Sequence, residues 1–281
     1  MIGVLLALAS AVGYGVSDFV GGVAARRVAA LRIVVVSYPI AMVLLAALAV
    51  LIGGDISTPA VVWGALSGIA QGLGVWWFYA ALGSGPISVV SPLTAVLVAG
   101  LPVGVGLALG ERPGLIAAVG VAVALAAVVL VSREATDEDV RPHRFTKAVA
   151  WLTVGAGIGF GLNFVLIAQA PVEANLWPLV FARVAATVLV FGIAIASRQL
   201  RPPSGVPLRL AVLAGLLDTG ANVAMLLALQ ASLLSLAGVL MSLYPAATVL
   251  LAIVVLRERV TRWQASGMVL ALVAVAMIAG G

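Results

Sequence analysis

Ten apolar runs, each roughly twenty residues long, follow one another along the chain. Their approximate limits are 2–22, 33–52, 61–82, 86–108, 114–131, 148–169, 176–196, 209–229, 233–256 and 263–280. At about 1.5 Å per helical residue, a run of this length spans the roughly 30 Å of bilayer hydrocarbon. A backbone crossing lipid must satisfy its own N–H and C=O groups, which leaves helices or a closed barrel. A barrel needs alternating segments of about ten residues, and these runs are continuous. The chain therefore reads as an all-α membrane protein with ten transmembrane helices. Composition agrees, since only 9% of residues are charged and 64% are hydrophobic.

The few charges are placed systematically. All but Arg112 and Arg183 of the 15 Lys and Arg residues lie in loops after the first, fifth, seventh and ninth runs. The positive-inside rule puts those loops in the cytoplasm and both termini outside. Topology thus accounts for the net charge of +5, and no basic stripe interleaved with aromatics suggests nucleic acid. No cysteine is present, and the single histidine, His143, sits in a polar loop. Metal, cofactor and thiolate sites are not expected. The first run holds a cleavage-like "ASA" at 9–11, but no Lys or Arg precedes Arg26. A signal peptide requires a positive start, so this run reads as part of the fold.

The chain repeats itself. Shifted by 147 residues, "ALGSGPISVVSPLTAVLVAGLPVGVGLALGER" (81–112) lies without a gap over "ALQASLLSLAGVLMSLYPAATVLLAIVVLRER" (228–259). Gly68 then matches Gly215, Gly120 matches Gly267, and Glu111-Arg112 matches Glu258-Arg259. A shift of 146 lays "GYG" (13–15) on "GFG" (159–161). Residues 1–134 form one five-helix repeat, 135–147 a polar linker, and 148–281 the second repeat. Five is odd, so the second repeat enters the membrane in the opposite sense. Inverted repeats of this kind hold a site near the bilayer midplane between the halves.

With "YAALGSGPISVVSPLTAVL", "LGERP" and "LMSLYPAATVLLAIVVLRERVTRWQASG" (240–267) on the page, the chain resembles the EamA-type members of the drug/metabolite transporter superfamily. The resemblance covers both halves and the linker, and the two Glu-Arg pairs are its most specific part. It implies a small-metabolite carrier, often an exporter, of a bacterial inner membrane, and leaves the cargo open. It also implies cytoplasmic termini, opposite to the charge count.

Polar groups deep in the runs are the site candidates, because each costs several kcal/mol unless paired or wetted. Asp218 lies about 13 Å into the eighth run, near the midplane. Asn222 is one turn on, and Gln71 is the repeat partner of Asp218. Arg183 in the seventh run is level with Asn222 and about a turn from Asp218, within reach of it. The two form either a structural ion pair or a substrate and coupling site. Tyr14 and Asp18 share a face of the first run, and Asn163 takes the neighbouring position in the sixth. Asp18 also suits an interfacial pairing with Arg26 or Arg27. Trp76 and Tyr79 close the third run, as belt or lining residues. Tyr244 is too deep for an aromatic belt and suits the cavity. Pro92 and Pro245 remove backbone donors and are candidate kinks for gating. Glu111 and Glu258 read as interfacial anchors that pack the repeats together.

The resulting expectation is a secondary transporter whose halves rock or bend around a central cavity. Its partners are the bilayer, a small-molecule substrate and coupled protons. Mixed charges, amides and aromatics suit zwitterions such as amino acids. A passive channel or facilitator is the alternative. An enzyme is not expected, since the runs hold no histidine, no cysteine and no "GxSxG" or "HExxH".

Overall fold

The computed structural model describes residues 1–25, 27–84, 87–131, 146–256 and 262–280. Among them it is helical, with no strand. The first five helices are α1 (Ile2–Ala25), α2 (Ala30–Ile52), α3 (Thr58–Ser84), α4 (Ile87–Ala108) and α5 (Leu115–Val131). After the linker come α6 (Lys147–Ile167), a short 3-10 turn (Val172–Ala174), α7 (Trp177–Ala196) and α8 (Val206–Ala231). The chain closes with α9 (Leu234–Met241), α10 (Tyr244–Leu256) and α11 (Arg262–Gly280). Local chemistry sets several ends. Thr146 accepts from Val149 N–H at 3.3 Å to start α6. Pro178 and Pro207 stand in the first turns of α7 and α8, where a missing N–H costs nothing.

Each of the ten apolar runs has its helix, with one correction. The ninth, 233–256, is two helices, broken at Ser242–Leu243. Pro245 has no N–H to give the Met241 carbonyl one turn back, so the helix restarts there. At the other candidate kink, Pro92, α4 continues without a break. Among the described residues, six helices are long and apolar enough to cross a membrane: 2–21, 31–52, 58–78, 147–167, 177–196 and 206–231. Val96–Ala108, Leu115–Leu130 and Ala265–Ile278 are apolar but shorter.

The repeats interleave. The most extensive packing joins a helix of one repeat to a helix of the other: α1 to α8, α3 to α6, α5 to α11, and α3 to α7. Helices within one repeat touch far less. This arrangement bears on how the halves could rock or bend around a cavity. A repeat moving as one body would strip each helix from its main partner.

The glycines matched between repeats sit at these close approaches. Gly68 lies on the Ala182 backbone of α7, and Gly215 lies on Ser37 of α2. Gly13 lies against Ala221 of α8, and Gly159 against Gly74 and the Ala70 carbonyl of α3. A Cβ at any of these would press on its neighbour. Lipid supplies no hydrophobic drive between helices, so close backbone approach and polar contacts hold them together. The successive contacts of Gly64 with Pro178 and Gly68 with Ala182 make α3 and α7 parallel. Those of Ser67 with Asn163 and Gly74 with Gly159 make α3 and α6 antiparallel.

One end of the bundle, called here the terminal face, carries Met1, the 53–57 loop, the 168–176 loop and the α8–α9 turn. Asp55 N–H donates to Glu173 O at 3.0 Å, joining the two loops across the repeats. Gly3 packs on Ser232 in the same layer.

Candidate functional site

About a third of the way along α7 and midway along α8, two opposite charges come together. Arg183 Nη2 donates to Asp218 Oδ2 at 2.7 Å. The Arg183 side chain is 2% exposed and that of Asp218 is 19% exposed. The guanidinium carbon stands 4.7 Å from the ring centroid of Tyr38 on α2, the geometry of a cation–π contact. Nη1 of Arg183 is buried without a hydrogen-bond partner. One arm of the cation is thus neutralised, one face is covered by an aromatic ring, and one donor nitrogen remains uncommitted. Asp218 is the more accessible of the two charges.

Asn222 is buried one turn further along α8, and its Nδ2 donates to the backbone carbonyl of Asp218 at 2.7 Å. Sequence analysis placed it with Asp218 as a site candidate, and in the structure its Nδ2 is engaged by its own helix. This back-bond holds the Asp218 turn in place.

A second polar cluster joins four helices around a sulfur. Tyr14 Oη donates to Met225 Sδ at 3.4 Å, and Asn163 Nδ2 approaches the same sulfur at 3.9 Å. Asn163 Oδ1 accepts from Ser67 Oγ at 2.7 Å. The cluster therefore ties α1, α3, α6 and α8. Nearby, Ser10 and Ser17 donate to the Ala221 and Ala214 carbonyls, both at 3.0 Å, fastening α1 along α8. Gln71 is half-buried on α3, one turn beyond Ser67. Tyr244 is half-buried at the first turn of α10, beside the helix break.

Trp76 stands apart from these clusters. It is 44% exposed and flanks a shallow apolar recess of about 430 Å³ on the outside of α7, with Val188, Leu189 and Gly192. It belongs to the outer surface rather than to a central cavity, as the aromatic-belt reading allows. The side chains of Asp18, Tyr79, Pro92 and Pro245 lie outside the described residues.

Tyr38, Ser67 and Met225 were not singled out by sequence reasoning. Tyr38 had a signal, since "SYP" at 37–39 interrupts an otherwise aliphatic run. Met225 had none, because a methionine in an apolar helix reads as ordinary filler.

Among the described residues, no three His, Asp, Glu or Cys side chains gather to hold a metal ion. The arrangement defines a multi-pass helical membrane protein with a charged, hydrogen-bonded interior, the general design of a solute transporter. The chain belongs to the EamA-like transporter family, which it matches over residues 1–133 and again over 147–280. One crystal structure superposes with a TM-score of 0.75 over 96% of this chain and 98% of its own, at 18% identity. At that identity the likeness concerns the fold alone. No curated protein matches the chain.

Proposed function

We propose that the protein is a secondary, alternating-access transporter that exports small metabolites across the bacterial inner membrane. The chain would cross ten times in two inverted five-helix repeats, with both termini outside, as its Lys and Arg placement favours. The cargo is zwitterionic, such as an amino acid. The observation that carries this reading is the Arg183–Asp218 pair, which leaves Nη1 of a buried guanidinium unpartnered beside a partly accessible carboxylate. A substrate carboxylate suits Nη1, and an ammonium suits Asp218. A structural ion pair alone would not need the free donor, and leaving it bare is costly.

Movement would follow the packing rather than the repeats. The α1, α2, α8 group and the α3, α6, α7 group each combine helices of both halves. Sliding one group on the other keeps the glycine contacts inside each. Asp218 is the candidate for proton coupling, because protonation would release Arg183 to its cargo.

Proteoliposome transport of a radiolabelled amino-acid mixture tests the reading. Asp218→Asn should reduce uptake about ten-fold or more, the usual scale for a charge-assisted contact, and remove its dependence on a proton gradient. Unchanged rates and unchanged gradient dependence in that variant would overturn it.

A further inference from the structure

We infer that Glu111 is the latch that holds the terminal face of the transport path closed, an inference that rests on the alternating-access reading. The residue follows α4, whose end is built to fold it back. Gly110 has φ +93°, and its N–H donates to Leu107 O at 3.1 Å. Glu111 N–H donates to Gly106 O at 2.9 Å. These are the two bonds of a Schellman turn, with glycine at its left-handed position. The turn lays the Glu111 side chain across the end of its own helix.

The carboxylate then crosses to the other repeat. It accepts from the backbone N–H groups of Leu234 and Ser235, the latter at 2.9 Å. These are the first two residues of α9, whose N-cap residue Leu233 offers no side-chain cap. The first repeat thus supplies both the missing acceptors and the negative charge that a helix start favours. Gly106 leaves the room, since a Cβ there would collide with the Glu111 carboxylate.

Three facts favour a latch over a static cap. The contact joins α4 to α9, one helix from each repeat, at the outer end of their packing. The helix it holds is only eight residues long and ends at the Ser242–Leu243 break, so its start is not tied to one continuous membrane-length helix. The device is also one-sided in sequence. The second repeat carries Glu258 in register with Glu111, but has Ile253 and Arg257 where Gly106 and Gly110 stand. The Gly106 and Gly110 positions that serve this turn are glycine in the first repeat alone, which biases the resting state toward closure of the terminal face.

The absence of native cysteine makes the test direct. Ser235 is 1% exposed and its hydroxyl has no partner, so Ser235→Cys is a mild reporter. The purified protein in lipid nanodiscs would be labelled with a membrane-impermeant maleimide. Glu111→Gln and Gly106→Ala, each added to the reporter, should speed labelling about ten-fold or more, as expected for weakening a hydrogen bond to a charged group. Glu258→Gln should not. Equal labelling in all variants, or an equal rise with Glu258→Gln, would overturn the latch. These arms need no cargo, so their failure leaves the transporter reading standing.

A second arm separates a latch from a cap. A Cβ at Gly106 would lie 3.2 Å from Ser235 N, close enough to plan a Gly106→Cys/Ser235→Cys disulfide. Oxidation should stop amino-acid counterflow and reduction should restore it. Full counterflow in the oxidised form would show that transport does not require the contact to open, and would refute the inference.

Discussion

Arg183 shows how a single residue can be both a liability and a device. A lone charge at the bilayer centre costs several kcal/mol, and Asp218 with the Tyr38 ring offsets it. Removing one partner of such a pair should cost about 3–5 kcal/mol, because the other is left buried and charged. Arg183→Gln is therefore expected to lower the thermal stability of the purified protein sharply. Tyr38→Phe keeps the ring face but removes the hydroxyl's hydrogen bond to Arg183, and should cost about 0.5–1.5 kcal/mol. Tyr38→Leu should cost about 1–2 kcal/mol through the lost cation–π contact, read in the same melts. Ser67→Ala leaves the buried Asn163 Oδ1 without its 2.7 Å donor and should cost about 1–3 kcal/mol. At this scale the sequence was partly legible. Depth along each helix was enough to align Arg183 with Asp218. It could not show that Asn222 would bend back to the Asp218 carbonyl, because helical spacing gives the face of a residue but not its rotamer. Nor could it place Trp76 on the outside, since an aromatic near a helix end suits belt and cavity alike.

At the scale of elements, small residues decide which helices meet. Gly68 and Gly215 occupy matching positions and make matching contacts, one against α7 and the other against α2. The repeat in the sequence thus survives as a repeat in packing. Gly68→Ala should destabilise by about 1–3 kcal/mol or more through overpacking, because its neighbour is backbone that cannot turn aside. Gly192→Ala is the control, since nothing lies within 4 Å of a Cβ there. Comparable melting temperatures for the two variants would contradict this packing account. Helix existence was plain from hydropathy, whereas the break in the ninth run was not. Pro245 announced a lost donor, but a proline in a membrane helix is also compatible with a bend that keeps the helix whole. The break follows from the surroundings, where Leu243 N–H turns to Leu240 O at 3.2 Å and Ala246 N–H to Leu243 O at 2.9 Å.

The whole molecule is a weave of two related halves. Internal similarity predicted two repeats, and the family match covers both. Interleaving was beyond reach, because a repeat in sequence does not state whether its copies sit side by side or exchange helices. The consequence is a test of assembly. Residues 1–134 or 148–281 expressed alone lack the main partners of nearly every helix and should not accumulate as folded protein. Expressed together, they should copurify and melt as one. Stable, independently folded halves would contradict the weave.

The central claim is that Arg183 and Asp218 form a working site rather than a stabilising pair. The double variant Arg183→Met with Asp218→Leu separates the two, because replacing a buried ion pair by apolar residues of similar volume is often neutral or stabilising. Its melting temperature and its transport would be measured on the same preparation. The account predicts near-normal stability with transport of the amino-acid mixture abolished. Near-normal stability with transport retained would contradict it and leave the pair a structural one.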